Sequence, residues 1–142
     1  MVAVLQDGNS DFVFADYYEY SGLDAENNLP KDVKHVRLPD DLVMEKGNQV
    51  GACFMYTRKA YETVGEYNTD LFLVEDYDYW IRIGALFQIK HIAKPLYFFR
   101  RDDQTLYCSK FCEVKVSDFL VRYKNNLLDK NEAIAAIVNL IL

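Results

Sequence analysis

The sequence lacks an apolar run of about 18 to 20 residues, the length that spans a bilayer. It also lacks a basic cluster: 16 lysines and arginines are outnumbered by 22 aspartates and glutamates, for a net charge of −6. A protein that binds a phosphate backbone needs the opposite sign, so we expect no nucleic-acid partner. The N-terminal residues have neither the basic segment nor the long apolar segment of a signal peptide. We therefore expect a cytoplasmic location, and contact with the inner face of the membrane remains an open alternative.

Glycine and proline are scarce, with six and three residues, which excludes collagen-like and low-complexity classes. The three cysteines, Cys53, Cys108 and Cys112, cannot all pair with one another. Because the chain has only two histidines, no zinc-ligand spacing is completed either. We expect reduced thiols, and we interpret His35 and His91 as structural.

Aromatic residues, by contrast, make up 15% of the chain, and apolar residues 51%. Most of the rings fall in strand-like runs, for which core packing is the simplest explanation. Strands are predicted at residues 11–20, 34–38, 49–56, 88–92 and 96–100. Helices are predicted at residues 58–64 (capped by Thr57), at 75–87, and twice within 109–142, with a break near 129–131. This alternation predicts an α/β fold with a mixed sheet and flanking helices.

Three carboxylates, those of Glu75, Asp76 and Asp78, open the helix predicted at residue 75. One interpretation is structural: acidic groups at a helix start contribute about 0.3 to 1 kcal/mol each, and Asp78 with Arg82 forms an i,i+4 surface pair. An Asp-x-Asp metal site is excluded here, because residues two apart on a helix diverge by about 200°. Glu75 and Asp78 are close enough to meet, whereas Asp76 faces elsewhere and is free to point into a cleft.

Four collinear segments resemble the acceptor-side half of the inverting family-2 glycosyltransferases, which have the GT-A fold. They are residues 14–18 (FADYY), 48–67 (NQVGACFMYTRKAYETVGEY), 71–82 (LFLVEDYDYWIR) and 95–101 (PLYFFRR). The similarity runs in the same order over residues 1–107.

The resemblance implies transfer of a sugar from a nucleotide-sugar donor to an acceptor hydroxyl with inversion, as in polysaccharide biosynthesis. Asp76 matches the family's general base, which takes the proton of the attacking hydroxyl. Glu75 is then expected to orient the acceptor, and Trp80 either to wall the acceptor site or to pack in the core. Gly51 permits the close approach of either a ligand or a packed neighbour. Arg101 either faces a diphosphate or solvates a strand end.

Two departures from the family pattern matter. Asp102 stands where the family often has a metal-binding histidine, so it is either an oxygen ligand for Mg²⁺ or Mn²⁺ or a solvated loop carboxylate. The family's nucleotide-binding half, with its metal-binding Asp-x-Asp, has no counterpart here. We therefore expect residues 1–107 to be the C-terminal part of a GT-A domain and residues 108–142 a helical tail. The nucleotide sugar, acceptor sugar and metal belong to the complete enzyme, and this chain alone is expected to bind no metal and to be inactive.

A function of a different class stays open: a non-catalytic interaction module or an oligomerising remnant. Residues 133–142 are apolar nearly all round, which favours a docking helix or a contact with the membrane surface. Self-association through an exposed sheet edge fits either reading. A metal-dependent hydrolase is disfavoured because no histidine–carboxylate constellation is apparent.

Overall fold

The computed structural model describes all 142 residues, with six α-helices and eight strands. In chain order they are α1 (Val2–Gln6), β1 (Phe12–Ala15), β2 (Tyr17–Tyr20), β3 (Gly22–Leu23), β4 (Pro30–Lys31), β5 (Lys34–Val36), β6 (Phe54–Tyr56), α2 (Arg58–Val64), α3 (Glu75–Gly84), β7 (Ile89–Ile92), β8 (Phe98–Arg100), α4 (Leu106–Ser109), α5 (Phe111–Lys124) and α6 (Lys130–Ile141). A 3₁₀ turn, Met44–Lys46, lies between β5 and β6. None of the helices combines the length and apolarity needed to cross a membrane.

The strands form three small sheets. In the first, β1 lies between β6, which is antiparallel to it, and β7, which is parallel. The second repeats this arrangement, with β2 between antiparallel β5 and parallel β8. The third contains only β3 and β4. The fold is therefore mixed α/β.

The predicted strand over residues 11–20 is in fact two strands that belong to different sheets, with Asp16 between them. Asp16 is 2% exposed, and its carboxylate accepts hydrogen bonds from the Leu38 N–H and bonds to both histidine rings. A buried carboxylate needs such partners, and they lie where the chain leaves the first sheet for the second. The strand predicted over 49–56 is also shorter, because Gly51 has a φ of +68°.

Helix α3 packs its apolar face against the first sheet. The main core contains Phe12 and Phe14 from β1, Val50, and Tyr79, Trp80 and Ile83 from α3. The Trp80 ring lies 4.9 Å from the Phe12 ring and 4.4 Å from the Phe54 ring, centroid to centroid. This packing fixes the rotation of α3 about its axis, and with it the direction in which its first turn points.

The helical tail predicted at 108–142 is helical as expected, but α5 belongs to the core. Val121 of α5 is fully buried against Val74, Tyr77 and Ile81. Helix α6 begins at a capping box formed by Asp129 and Glu132, which accounts for the predicted break. All three cysteines are unpaired, in agreement with the expectation of reduced thiols.

Candidate functional site

The first turn of α3 fixes the carboxylate of Asp76 with two hydrogen bonds. The Tyr77 N–H donates to its Oδ1 at 2.6 Å, and the side-chain amide of Asn48 donates to its Oδ2 at 3.1 Å. N–H groups at a helix start have no intrahelical acceptor, so a carboxylate there is a natural partner. Asn48 follows the 3₁₀ turn and is itself held by the bond that its Oδ1 accepts from the Val50 N–H. The Asp76 carboxylate is thus held by two separate parts of the chain.

Asp76 opens onto a cavity of about 230 Å³ between the start of α3, the segment after the 3₁₀ turn and the face of α5. We call it the Asp76 cavity. Its polar lining comprises Lys46, Asn48, Asp76, Lys115, Asp118 and Arg122. The expectation that Asp76 points into a cleft agrees with this geometry.

Burial is the main influence on Asp76 and raises the pKa of its carboxyl above the ordinary value of 3.8. The negative charge of Glu75 acts in the same direction. The bonds from the Tyr77 N–H and the Asn48 amide favour the ionised form and oppose the rise without cancelling it. A carboxylate with a raised pKa accepts a proton more readily than an exposed one.

The cavity also has three cationic side chains in its lining, which the sequence did not indicate. Arg122 forms an ion pair of 2.6 Å with Asp118 and donates to the Glu45 carbonyl at 2.8 Å. Lys46 and Lys115 also line the cavity. Lys46 lies on the 3₁₀ turn, whereas Lys115, Asp118 and Arg122 lie on α5. The sequence predicted that α5 belongs to a helical tail. The i,i+4 spacing of Asp118 and Arg122 was the only sequence signal of an ordered pair there.

The other two carboxylates of the acidic segment do not line the Asp76 cavity. Asp78 is buried and accepts from Arg82 Nε at 2.9 Å and from the Asn125 side-chain amide at 3.2 Å. The expected surface pair is therefore partly buried, and Glu75, which is exposed, does not bond to Asp78. The divergence of Asp76 and Asp78 is as the helix geometry predicted. Glu75 lies beside the Asp76 cavity without lining it.

Two predicted substrate contacts need correction. Trp80 has no exposed surface, because it is enclosed by the rings of Phe12 and Phe54, so it cannot wall an acceptor site. Gly51 lies outside the Asp76 cavity, and a Cβ on it would come within 3.2 Å of the Tyr17 ring. The close approach that Gly51 permits is therefore that of Tyr17.

Arg101 and Asp102 also lie outside the cavity. Arg101 donates to Glu19 Oε2 at 2.9 Å, and its guanidinium carbon lies 4.8 Å from the centroid of Tyr107, a cavity residue. Asp102 pairs with Arg100 Nε at 3.1 Å and accepts from the Gln104 N–H. Asp102 has no neighbouring ligands beside it, since no group of three or more His, Cys, Asp or Glu side chains is arranged to hold a metal ion. The residues present do not fit the Mg²⁺ or Mn²⁺ that the resemblance implies.

A second polar cluster surrounds Asp16 and lines a cleft of about 340 Å³. His35 Nε2 lies 2.9 Å from Asp16 Oδ2, and His91 Nε2 lies 2.7 Å from Oδ1. His91 Nδ1 lies 2.7 Å from Asp40 Oδ1. Both nitrogens of His91 are therefore engaged with carboxylates. The structural interpretation of the two histidines agrees with this arrangement.

The largest cavity, about 620 Å³, lies at the opposite end of α3 and is lined by Gly84 and Phe87. Its one cation, Arg82, is already bonded to Asp78 and to the carbonyls of Val64 and Glu66. The three carboxylates that line this cavity, those of Asp40, Asp41 and Glu45, are exposed, so size alone does not identify the site.

Comparison of the chain with protein-family models and with curated proteins gives no match. The functional argument therefore rests on the side chains themselves. Among them, Asp76 is the one carboxylate that combines a defined orientation, a raised pKa and an adjoining cavity.

Proposed function

We propose that this chain is the acceptor-side part of an inverting glycosyltransferase of family 2, with Asp76 as the general base. The observation that carries the proposal is the Asp76 carboxylate, which is held at the start of α3 and opens onto the Asp76 cavity. Asp76 lies in the third of the four segments that resemble the family, and Asn48, which holds its carboxylate, lies in the second. The GT-A fold belongs to the proposal, and the mixed α/β architecture is compatible with it.

The proposed chemistry at Asp76 is proton abstraction. An acceptor hydroxyl that attacks an anomeric carbon must lose its proton, and an ionised carboxylate within about 3 Å can receive it. Burial raises the pKa of Asp76, which makes it a stronger base than a solvated aspartate. The Asn48 amide keeps one oxygen in place, and this reduces the freedom that would have to be lost on reaching the reactive geometry.

The nucleotide sugar and the metal are proposed for the complete enzyme only. Asp102 belongs to no group of three or more potential metal ligands in this chain, so the proposal routes no step through a metal here. We expect the chain alone to bind an acceptor saccharide and to transfer no sugar. Turnover of UDP-sugars with Mn²⁺ by this chain would contradict that part of the proposal.

Acceptor binding is testable on the chain itself. We expect methyl glycosides of common hexoses to bind at the Asp76 cavity, as detected by saturation-transfer NMR and quantified by titration. Replacing Asp76 with asparagine removes an acceptor of charge-assisted hydrogen bonds and should weaken binding about tenfold. The matched control, Asp103→Asn, changes an exposed aspartate outside the cavity and should leave the affinity unaltered. Equal affinities for Asp76→Asn and the unmodified chain would exclude Asp76 as an acceptor contact.

A second function, a self-associating interaction module, is favoured by one feature of α6. Ile134, Val138 and Ile141 recur along one stripe of this helix and are each at least 45% exposed. Its only buried residue is Ala133. Light scattering at several concentrations, on the chain and on Val138→Glu, tests whether this stripe pairs with a second copy. A mass that stays monomeric at all concentrations would remove this alternative.

A further inference from the structure

The positive charge that lines the Asp76 cavity is only partly neutralised by carboxylates of the chain. Its lining includes three cationic and two acidic side chains, a net charge of +1, in a chain whose net charge is −6. Arg122 and Asp118 neutralise each other at 2.6 Å. The remaining cations are Lys46 and Lys115, and neither forms an ion pair with any carboxylate of the chain.

The two lysines are not there to neutralise Asp76. Its hydrogen-bond partners are the Asn48 amide and the Tyr77 N–H, and its carboxyl is governed by burial and by Glu75. Lys115 has its ammonium nitrogen 5.7 Å from the centroid of the Phe111 ring, one turn earlier on α5, so it lies against an aromatic ring and not against a carboxylate. Lys46 lies at the end of the 3₁₀ turn, directly before Gly47 and Asn48.

Gly47 brings the backbone close to α5 at this point. It is buried, has a φ of +107°, and a Cβ on it would lie 3.2 Å from Asp118 Oδ2. A residue with a side chain would be strained here, and it would push apart the segment that carries Lys46 and the helix that carries Lys115. The backbone thus permits the two cations to line one cavity together with Asp76.

We propose that the Asp76 cavity binds a saccharide that carries an anionic group, with Lys46 and Lys115 holding the anion and Asp76 facing a hydroxyl. The proposal rests on the proposed function and specifies its acceptor class. A compact ammonium group pairs with either a carboxylate or a phosphate, so the shared chemistry is a sugar-borne anion. A hexuronate and a sugar phosphate are the two sources to distinguish.

The test compares four probes on the full chain by isothermal titration or by NMR titration: methyl glucoside, methyl glucuronide, glucose 6-phosphate and inorganic phosphate. We expect one or both anionic sugars to bind about tenfold more tightly than methyl glucoside, and the preference to decline as salt is raised. The anionic sugar that binds more tightly identifies the source of the charge. Inorganic phosphate alone should bind more weakly than glucose 6-phosphate, because it makes no contact through a sugar ring.

Lys46→Gln and Lys115→Gln should each weaken binding of the anionic sugar more than binding of methyl glucoside, and so remove most of the preference for the charged sugar. The control is Lys124→Gln, an exposed lysine on the same helix and outside the cavity. Circular dichroism checks that each variant is folded. If all three variants bind the anionic sugars like the unmodified chain, the lysines do not form the site and the inference is wrong.

The outcomes separate this inference from the proposed function. Equal binding of charged and neutral sugars that still depends on Asp76 overturns the inference and leaves Asp76 as the acceptor contact. Lysine-dependent binding of inorganic phosphate as tight as that of glucose 6-phosphate also overturns it, because the site would then recognise an anion without a sugar. If an anionic sugar binds through the lysines and its affinity is unchanged by Asp76→Asn, the result supports the anion site. It also counts against Asp76 as the base.

Discussion

At the scale of single residues, the direct quantity to measure is the pKa of Asp76. We expect its carboxyl to titrate above 3.8, because burial and the charge of Glu75 disfavour the ionised form. Glu75→Gln should lower the pKa of Asp76 by removing a like charge, and Asn48→Ala should raise it further by removing a hydrogen bond to the charged form. Carboxyl ¹³C NMR measures each change.

The control for this titration is Glu62→Gln, which removes an exposed charge on α2, outside the cavity. It should leave the pKa of Asp76 where it was. If the carboxyl of Asp76 titrates at or below 3.8, or if its pKa changes in neither Glu75→Gln nor Asn48→Ala, then Asp76 is solvated and unsuited to act as a base.

Helical periodicity sufficed to predict that Asp76 and Asp78 diverge, since side chains two apart on a helix point in different directions. The surroundings of Trp80 were not predictable in this way, because Phe12 and Phe54, which enclose it, are far away in sequence. Lys115 and Arg122 were missed for the same reason: nothing local to α5 indicates that it packs beside the start of α3. Residue type and spacing identify a carboxylate, but the walls of its cavity come from long-range contacts.

At the scale of secondary-structure elements, Arg82 joins three parts of the chain. It pairs with Asp78 on its own helix, and its other nitrogens donate to the carbonyls of Val64, at the end of α2, and of Glu66. Replacing it with methionine leaves a buried carboxylate and two carbonyls without these donors. We expect Arg82→Met to lower the free energy of unfolding by about 2 to 3 kcal/mol, as measured by urea denaturation.

A matched substitution isolates the effect of burial. Arg58 forms an i,i+4 pair with Glu62 on α2, at 4.0 Å and with both side chains largely exposed. Arg58→Met should change the free energy of unfolding by less than about 0.5 kcal/mol, because exposed pairs contribute little. Similar effects at the two positions would mean that Arg82 makes no more than an ordinary surface pair.

The boundaries of the elements depend on how well local signals agree with tertiary packing. Helix α2 was predicted at the correct residues because Thr57, which accepts from the Ala60 N–H, is a strong cap. The strand over residues 11–20 was predicted as continuous because its apolar and aromatic content gives no sign of a switch between sheets. That switch occurs at Asp16, whose partners Leu38 and His91 are 22 and 75 residues away along the chain.

At the scale of the whole molecule, Asp16 connects the two three-stranded sheets. It stands between β1 of the first sheet and β2 of the second. His91, on β7, belongs to the first sheet, and His35, on β5, belongs to the second. A single carboxylate bonded to one ring from each sheet therefore links the halves of the fold on which α3 and its site depend.

This link makes stability depend on pH in a definite direction. Burial acts to raise the pKa of Asp16, but the bonds from the Leu38 N–H, His91 and His35 outweigh it and hold the pKa below 3.8. A carboxyl with a depressed pKa contributes stability that is present above 3.8 and is lost as the pH falls through the lower value of the folded state. The contribution of Asp16 should therefore be complete at pH 7 and diminish in acid.

Asp16→Asn tests this prediction, with unfolding followed through the fluorescence of Trp80, the single buried tryptophan. The variant should unfold about 2 to 3 kcal/mol more easily than the unmodified chain at pH 7, because the charged acceptor of three hydrogen bonds is lost. The difference should shrink below about pH 4, where the carboxyl of the unmodified chain begins to lose its advantage. Asp70→Asn, an exposed loop change, should show no difference at either pH. If the difference in the free energy of unfolding between Asp16→Asn and the unmodified chain stays constant from pH 7 into acid, the two sheets are held together by packing alone. The charge of Asp16 would then contribute nothing to joining them.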